Sequence, residues 1–175
     1  MRKNRDPFTE TAPSVFTDFK YEEAATSAVD QALGHARHAG ELMSVILCDL
    51  DHLEAINAIH GRASGDALLL QVFVRVCELV PVEDVIWESE RADLVILARN
   101  HACVEAYHLA ENIRQRIAEQ LFQVAQKQVM LTVSLGIRTS VPDSLVTADE
   151  LLSLAEDQLE LGKRNGPNAI APTIN

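Results

Sequence analysis

Residues 43–66 constrain the fold of this chain more than any other stretch. They begin with an uninterrupted apolar run, residues 45–48, which predicts a buried strand. Two carboxylates follow, Asp49 and Asp51, and the two-residue period of an extended chain predicts that they lie on the same side. Acidic side chains where a buried strand turns into a helix are typical of the metal and phosphate sites of α/β proteins.

The second half of this stretch predicts a short helical segment and a turn. Residues 53–59 are mostly apolar and carry Asn57, the segment ends at Gly61, and Gly65 and Asp66 open the next long helix. That helix, residues 64–80, carries its polar side chains in one narrow stripe, so we expect it to be covered on most sides. Core packing against the sheet explains such a pattern, and a face covered by a partner chain is the alternative.

Composition limits the classes of protein that this chain can belong to. Its 175 residues predict one domain, and a hydrophobic content of 47% is enough for a sizeable core. The net charge of −11 disfavours a nucleic acid or an anionic membrane as partner. No apolar run predicts membrane insertion, and no hydrophobic region follows the basic start as in a signal peptide. Three cysteines in separate apolar runs are typical of free thiols in a reducing cytoplasm.

The remaining elements follow from hydrophobic periodicity. The predicted order is helix, strand, helix, helix, strand, strand, helix, strand, helix, which indicates an α/β or α+β sandwich with a single mixed sheet. Residues 85–87 and 94–97 form a predicted hairpin. Residues 104–121 are predicted to be an amphipathic helix with Leu121 facing inward, and residues 131–137 a half-buried strand. Thr147 and Glu150 form the capping box of the last helix.

The spacing in residues 49–66 resembles that of the GGDEF family, the diguanylate cyclases, in which it reads Asp-x-Asp-x-Phe-Lys-x-Ile-Asn-Asp-x-x-Gly-His-x-x-Gly-Asp. The corresponding residues here are Asp49, Asp51, Leu53, Glu54, Ile56, Asn57, Ala58, Gly61, Arg62, Gly65 and Asp66. Residues 6–11 resemble the family's opening motif, and the run around residue 135 resembles its Val-Thr-x-Ser-x-Gly strand. The resemblance implies a nucleotide-cyclase-like fold with about five strands flanked by helices. It divides the chain into an N-terminal segment and leading helix (1–40), a degenerate GGDEF domain (41–171) and a tail (172–175).

The sequence that gives the family its name is replaced at the predicted hairpin tip. The five residues that align with this family signature are Ser89, Glu90, Arg91, Ala92 and Asp93. The resemblance implies that two acids at the third and fourth places hold a divalent metal. A guanidinium repels a metal and an alanine has no ligand atom, so we expect no catalytic residues here. A slip of register that brings Glu90 to the metal place is opposed by the apolar runs on either side.

Other family positions are retained. The resemblance implies that Asp49 is a vestigial metal ligand, that Asn57 and Asp66 contact guanine, and that Lys163 contacts phosphate. Each also has an ordinary structural role available: Asp66 as a helix cap, Asn57 in a turn, Asp49 as a solvated strand end. Cofactors are expected to be absent, with Mg²⁺ and GTP bound only if residual binding survives.

These observations predict a catalytically inactive signalling module in cyclic di-GMP signalling, acting through a protein partner or as a homodimer, with residual GTP binding left open. The interaction surface is predicted at the hairpin tip, from Trp87, Glu88, Glu90, Arg91 and Asp93, although Trp87 packed in the sheet is an equal alternative. Val80 stands where the family's inhibitory site has an arginine, so cyclic di-GMP is not expected to bind there. The rival interpretation is a weak or divergent diguanylate cyclase.

Overall fold

The computed structural model describes the backbone of residues 22–172 and the side chains of residues 26–171. The predicted opening motif at residues 6–11 and residues 173–175 of the predicted tail (172–175) lie outside the described residues. The elements are α1 (Glu22–Ala39), β1 (Met43–Leu50), α2 (Leu53–His60), α3 (Arg62–Cys77), β2 (Val85–Trp87), β3 (Leu94–Arg99), α4 (Cys103–Ala118), β4 (Leu121–Val124), β5 (Lys127–Met130), β6 (Val133–Ser140), α5 (Ala148–Arg164) and β7 (Ile170–Pro172).

A five-stranded mixed sheet forms the centre of the molecule, in the order β2-β3-β1-β6-β7. β1 pairs antiparallel with both β3 and β6, and β7 runs parallel to β6. The predicted fold class, an α+β sandwich with a single mixed sheet of about five strands, is confirmed. The predicted hairpin is also present, with Ile86 opposite Ile96.

Helices cover both faces of the sheet, because successive residues of β1 point to opposite sides. Ile46 and Cys48 pack in a core with residues of α3 and α4. Val45 and Leu47 pack in a second core with residues of α1 and α5. The division of the chain at residues 40 and 171 stays a prediction, although α1 and α5 share one core.

Helix α5 lies unusually close to the sheet, and this position sets the geometry of the candidate site. It begins with the predicted capping box, in which Thr147 accepts a hydrogen bond from the main chain of Glu150 and the Glu150 carboxylate accepts one from Thr147. Its inner face packs over Gly136 of β6, where an added Cβ would lie 2.3 Å from the Leu159 nitrogen. The glycine therefore permits the helix backbone to lie directly on the strand.

Three predictions about local structure were wrong. α3 begins at Arg62, two residues earlier than expected. α4 ends at Ala118, and Leu121, expected to face inward from a helix, is exposed at the start of the β4–β5 hairpin, which the sequence analysis missed. β6 is buried on both faces instead of one, because α4 and α5 cover its two sides.

Candidate functional site

An open cleft of about 570 Å³ lies where β1 ends. It is bounded by that strand end, the start of α2, the last residue before β3 and the loop that follows α5. The lining residues are Asp49, Leu50, Asp51, His52, Leu53, Glu54, Asn57, Asp93, Lys163, Gly166 and Pro167. Four of these are acids and one is a lysine, so the cleft is predominantly negative. A nucleotide triphosphate without compensating cations is therefore disfavoured there.

Asp49 has a partner on each of its two carboxylate oxygens. Oδ1 accepts a hydrogen bond of 2.8 Å from the main-chain nitrogen of Asp93, and Oδ2 forms an ion pair with Nζ of Lys163 on α5. The carboxylate of Asp93 accepts a bond of 2.7 Å from the main-chain nitrogen of Leu50. Strand β1, the start of β3 and the end of α5 are thus joined at one point.

The ionisation of these groups reflects their crowding. Burial raises the pKa of Asp93 to about 6, a shift that the hydrogen bond from Leu50 reduces and the neighbouring charge of Asp49 increases. Burial disfavours the charged form of Lys163, but the hydrogen bond and the charge of Asp49 outweigh this, and its pKa lies above the ordinary value. Near neutral pH the lysine is therefore charged and balances only part of the negative charge.

Asp51 has a structural role. Its carboxylate accepts hydrogen bonds from the hydroxyl of Thr132, the hydroxyl of Ser134 at 2.8 Å and the main-chain nitrogen of Asn168 at 2.7 Å. These bonds fasten the end of β1 to β6 and to the turn before β7. The two carboxylates predicted to lie on one side both line the cleft, but three donors already satisfy this one.

The nucleotide-contacting residues implied by the family resemblance separate into two groups. Asn57 and Lys163 line the cleft together with Asp49, whereas Asp66 is exposed on α3 and is not among the lining residues. Oδ1 of Asn57 is buried without a hydrogen-bond partner, close to Gly65, where an added Cβ would come within 1.8 Å of it. Gly65 is therefore needed for Asn57 to keep this position.

The hairpin tip is folded onto the protein, which corrects the predicted interaction surface. Trp87 is 3% exposed and packs in the core shared by α1 and α5, so it is not a surface anchor. Arg91 forms ion pairs with Asp149 and Glu156 of α5. Asp93 faces the cleft, as described above. Of the five predicted contact residues, only Glu88 and Glu90 are exposed.

A divalent cation does not fit these residues. Each oxygen of Asp49 already has a partner, and one partner is the ammonium group of Lys163, whose positive charge repels a divalent cation. Arginine and alanine have no carboxylate, so the signature positions Arg91 and Ala92 supply no metal ligand. Arg91 is held on α5, and Ala92 is buried in the apolar core. Among the residues that the structure describes, no three acidic, histidine or cysteine side chains are grouped so as to hold a metal ion.

Asp93 is the site residue whose place the sequence analysis missed. The polar composition of the tip predicts that Asp93 is exposed. In the structure Cys48 pairs with Leu94, so the next step along the antiparallel register brings Asp49 and Asp93 together. The position of Asp93 can be predicted only if the pairing of β1 with β3 is known, and these strands are distant in sequence.

The comparisons with known proteins agree with this fold. The family model described as "Diguanylate cyclase, GGDEF domain" matches residues 15–169. The chain has the nucleotide-cyclase-like architecture of that family, and it belongs to the GGDEF domain family.

One relative and two solved structures illustrate the similarity. An uncharacterized membrane protein of Staphylococcus haemolyticus is 27% identical over 146 residues, covering 81% of this chain and 41% of that protein. The coiled coil and GGDEF domain of DgcB from Caulobacter crescentus, in complex with c-di-GMP, matches with a TM-score of 0.78 at 19% identity, covering 86% of this chain and 80% of that one. The diguanylate cyclase SiaD from Pseudomonas aeruginosa, in complex with its activator SiaC, has a TM-score of 0.73 at 18% identity, covering 83% and 55%.

The chain spans about two fifths of the length of the curated relatives that it matches. Those relatives are named membrane proteins. In residues 22–172 of this chain, no helix is both long enough and apolar enough to cross a membrane.

Proposed function

We propose that this GGDEF domain synthesises no cyclic di-GMP and acts in cyclic di-GMP signalling by contact with another protein chain. One observation carries the proposal: the place that holds metal in the family contains an ion pair between Asp49 and Lys163. Divalent cations stabilise the charge that develops in phosphoryl transfer, and their loss costs orders of magnitude in rate. The two neighbouring signature places, Arg91 and Ala92, supply no replacement carboxylate.

The test is incubation of the purified chain with GTP and either Mg²⁺ or Mn²⁺, followed by nucleotide analysis. We expect no cyclic di-GMP above the level of a no-enzyme control, while an active diguanylate cyclase run in parallel makes product. Product formation that Asp49→Asn abolishes would overturn the proposal.

A weak or divergent cyclase is the second candidate, because the structure brings a second carboxylate beside the first. Asp93 binds Asp49 through its main chain and lines the same cleft. If these two acids served a reaction, Asp93→Asn would abolish turnover, whereas Glu90→Gln at the exposed tip would not. Absence of turnover in the unmodified chain excludes this candidate.

We propose that residual GTP binding, if it survives, is weak and has no strong requirement for metal. Asn57 lies in the cleft and can discriminate between bases through its amide, but the acidic lining repels phosphates. Arg91 is held by α5 and is not among the lining residues, so Lys163 alone would meet the triphosphate. Titrations of GTP, ATP and GDP with and without Mg²⁺ test this, and equal affinity for GTP and ATP would remove the role of Asn57.

Action by contact is supported by the retention of a complete fold around an altered cleft. SiaD shows that a diguanylate cyclase of this architecture can form a complex with an activator protein.

We place the domain in the cytoplasm, since its three cysteines are all free, as in reducing compartments. Cell fractionation tests the location.

We also propose that cyclic di-GMP does not bind at Val80, because a valine at this position offers no guanidinium to form a bidentate hydrogen bond with guanine or phosphate.

A further inference from the structure

The two edges of the β4–β5 hairpin differ in how their main-chain groups are bonded. At the edge of β4, the side-chain amide of Gln71 on α3 bonds the main chain of Gln123. Its Oε1 accepts a hydrogen bond from the nitrogen of Gln123 and its Nε2 donates one to the oxygen, both at 2.9 Å. Gln123 lies opposite Gln128 of β5. Opposite residues of an antiparallel pair either bond each other or both point their main-chain groups outward, so the groups of Gln128 point away from β4.

The outer edge of β5 therefore carries donors and acceptors that the hairpin does not use. The two-residue period gives the main chain of Met130 the same outward direction as that of Gln128. Among the residues that the structure describes, none is hydrogen-bonded to these outward groups. Both residues are exposed, Met130 to 69%. An unpaired strand edge binds an extended chain, which supplies the complementary main-chain groups.

An apolar groove of about 300 Å³ lies between this strand and helix α2. The two residues that α2 contributes are four apart and share one face of the helix. No residue of α2 is buried, so the rest of the described chain does not cover this wall. The space can receive an apolar side chain from outside. We call it the α2–β5 groove, and its walls include Ile56, His60, Ala118, Val129, Met130 and Leu131.

The charge of the chain restricts the segment that fits this groove. Of the residues that line it, only Asp51 is an acid, and three donors satisfy its carboxylate. The groove is thus a weakly charged place on a chain with a net charge of −11. The chain as a whole repels an acidic segment, whereas it attracts a segment in which basic residues flank an apolar one.

We propose that the α2–β5 groove docks an extended segment of a partner protein, which adds to β5 as a further strand and inserts an apolar side chain beside α2. Hydrogen bonds to the main chain of Gln128 and Met130 supply affinity, and the groove selects the apolar residue. The inference rests on the proposed action by contact, for which it names the surface and the chemistry of the partner segment.

Fluorescence anisotropy of the full chain with short labelled peptides tests the docking. The peptides have blocked ends and the sequence Lys-Thr-Thr-X-Thr-Thr-Lys, in which X is Leu, Phe or Asp. We expect the Leu or the Phe peptide to bind at least about tenfold more tightly than the Asp peptide, because an aspartate would bury an unpaired carboxylate. Equal affinity for all three peptides, or no binding of the Leu and Phe peptides up to about 1 mM, would overturn the proposal.

Met130→Pro tests the addition of a strand directly, because it removes the outward N–H of residue 130. This N–H is not bonded to β4, and proline is tolerated at a strand edge, so the hairpin should stay folded. Affinity for the better peptide should fall about tenfold or more. Met130→Ala is the matched control, since it shortens the same side chain but keeps the N–H, and it should weaken binding much less. Equal effects of the two variants would contradict strand addition.

Ala118→Leu tests the groove without altering β5, because the larger side chain fills the space from the end of α4. Thermal unfolding checks that this variant and Met130→Pro are folded. We expect Ala118→Leu to weaken binding of the Leu and Phe peptides about tenfold or more, and unchanged binding would refute the groove as the docking site. The nucleotide assay measures turnover separately, so a failure of docking is distinguishable from a failure of the proposed function.

Discussion

Replacing Gly136 by alanine should destabilise the protein, because α5 lies directly on this residue. The added methyl carbon would lie 2.3 Å from the Leu159 nitrogen and 2.4 Å from the Ala155 carbonyl oxygen. Both atoms belong to the helix backbone, so no side-chain rotation can relieve the contact. Either α5 or β6 must move by about 1 Å to restore an ordinary van der Waals separation.

The size of the effect follows from the cost of overpacking. An extra methyl group in a well-packed core costs about 1–3 kcal/mol, and a clash with backbone falls in the upper part of that range. For a chain of this length, each kcal/mol lowers Tm by roughly 2–4 °C. We therefore expect Gly136→Ala to lower Tm by roughly 4–12 °C. Movement of α5 also displaces Lys163, which pairs with Asp49 at the cleft.

Gly34→Ala is the matched control, because it makes the same chemical change in helix α1. An added Cβ there has no heavy atom within 4 Å. Alanine favours the helix over glycine by about 0.5–1 kcal/mol, so this variant should be slightly more stable than the wild type. Thermal unfolding followed by circular dichroism measures both. If the two variants change Tm in the same direction, or if Gly136→Ala leaves it unchanged, the close approach of α5 is refuted.

Two further substitutions test the site and the helix that carries its lysine. The pKa of Asp93 is raised from 3.8 to about 6 in the folded protein. Between these pH values the folded protein binds more protons than the unfolded chain. The stability that this group contributes is therefore lost as the pH rises from about 4 to 6. Asp93→Asn should therefore be more stable than the wild type at pH 7 by about 1–3 kcal/mol but not at pH 4, in urea titrations at both pH values. Thr147→Ala removes the capping box and should lower the free energy of unfolding by about 1 kcal/mol in the same assay. Ser153→Ala, at an exposed position of the same helix, is the control and should lower it much less. Equal losses of stability in the two variants would contradict the capping role.

The sequence by itself determined the elements that local patterns encode. The strand at residues 45–48, the hairpin of residues 85–87 and 94–97 and the capping box at Thr147 are all present. Each depends on side chains a few residues apart, so periodicity and capping preferences are sufficient to predict it. The β4–β5 hairpin was missed because its apolar residues, including the exposed Leu121, continue the helical spacing of α4.

Only the tertiary structure decided which side chains meet at the candidate site. A two-residue period states that Asp49 and Val45 share a face, but not that α5 covers it and brings Lys163 to the carboxylate. Asp93 reaches Asp49 because β1 pairs with β3, more than forty residues away in sequence.

The exposure of side chains at the hairpin tip also could not be predicted from local sequence. Polar composition predicted that its charged residues face solvent, whereas Arg91 is held by two acids of α5. Trp87 is covered by the core, which was the alternative to its role as a surface anchor. Whether a side chain is exposed depends on what packs over it from distant parts of the chain, and a local pattern carries no information about that neighbour. Exposure and contact at the site are therefore properties of long-range packing, whereas the elements that carry the site are properties of local sequence.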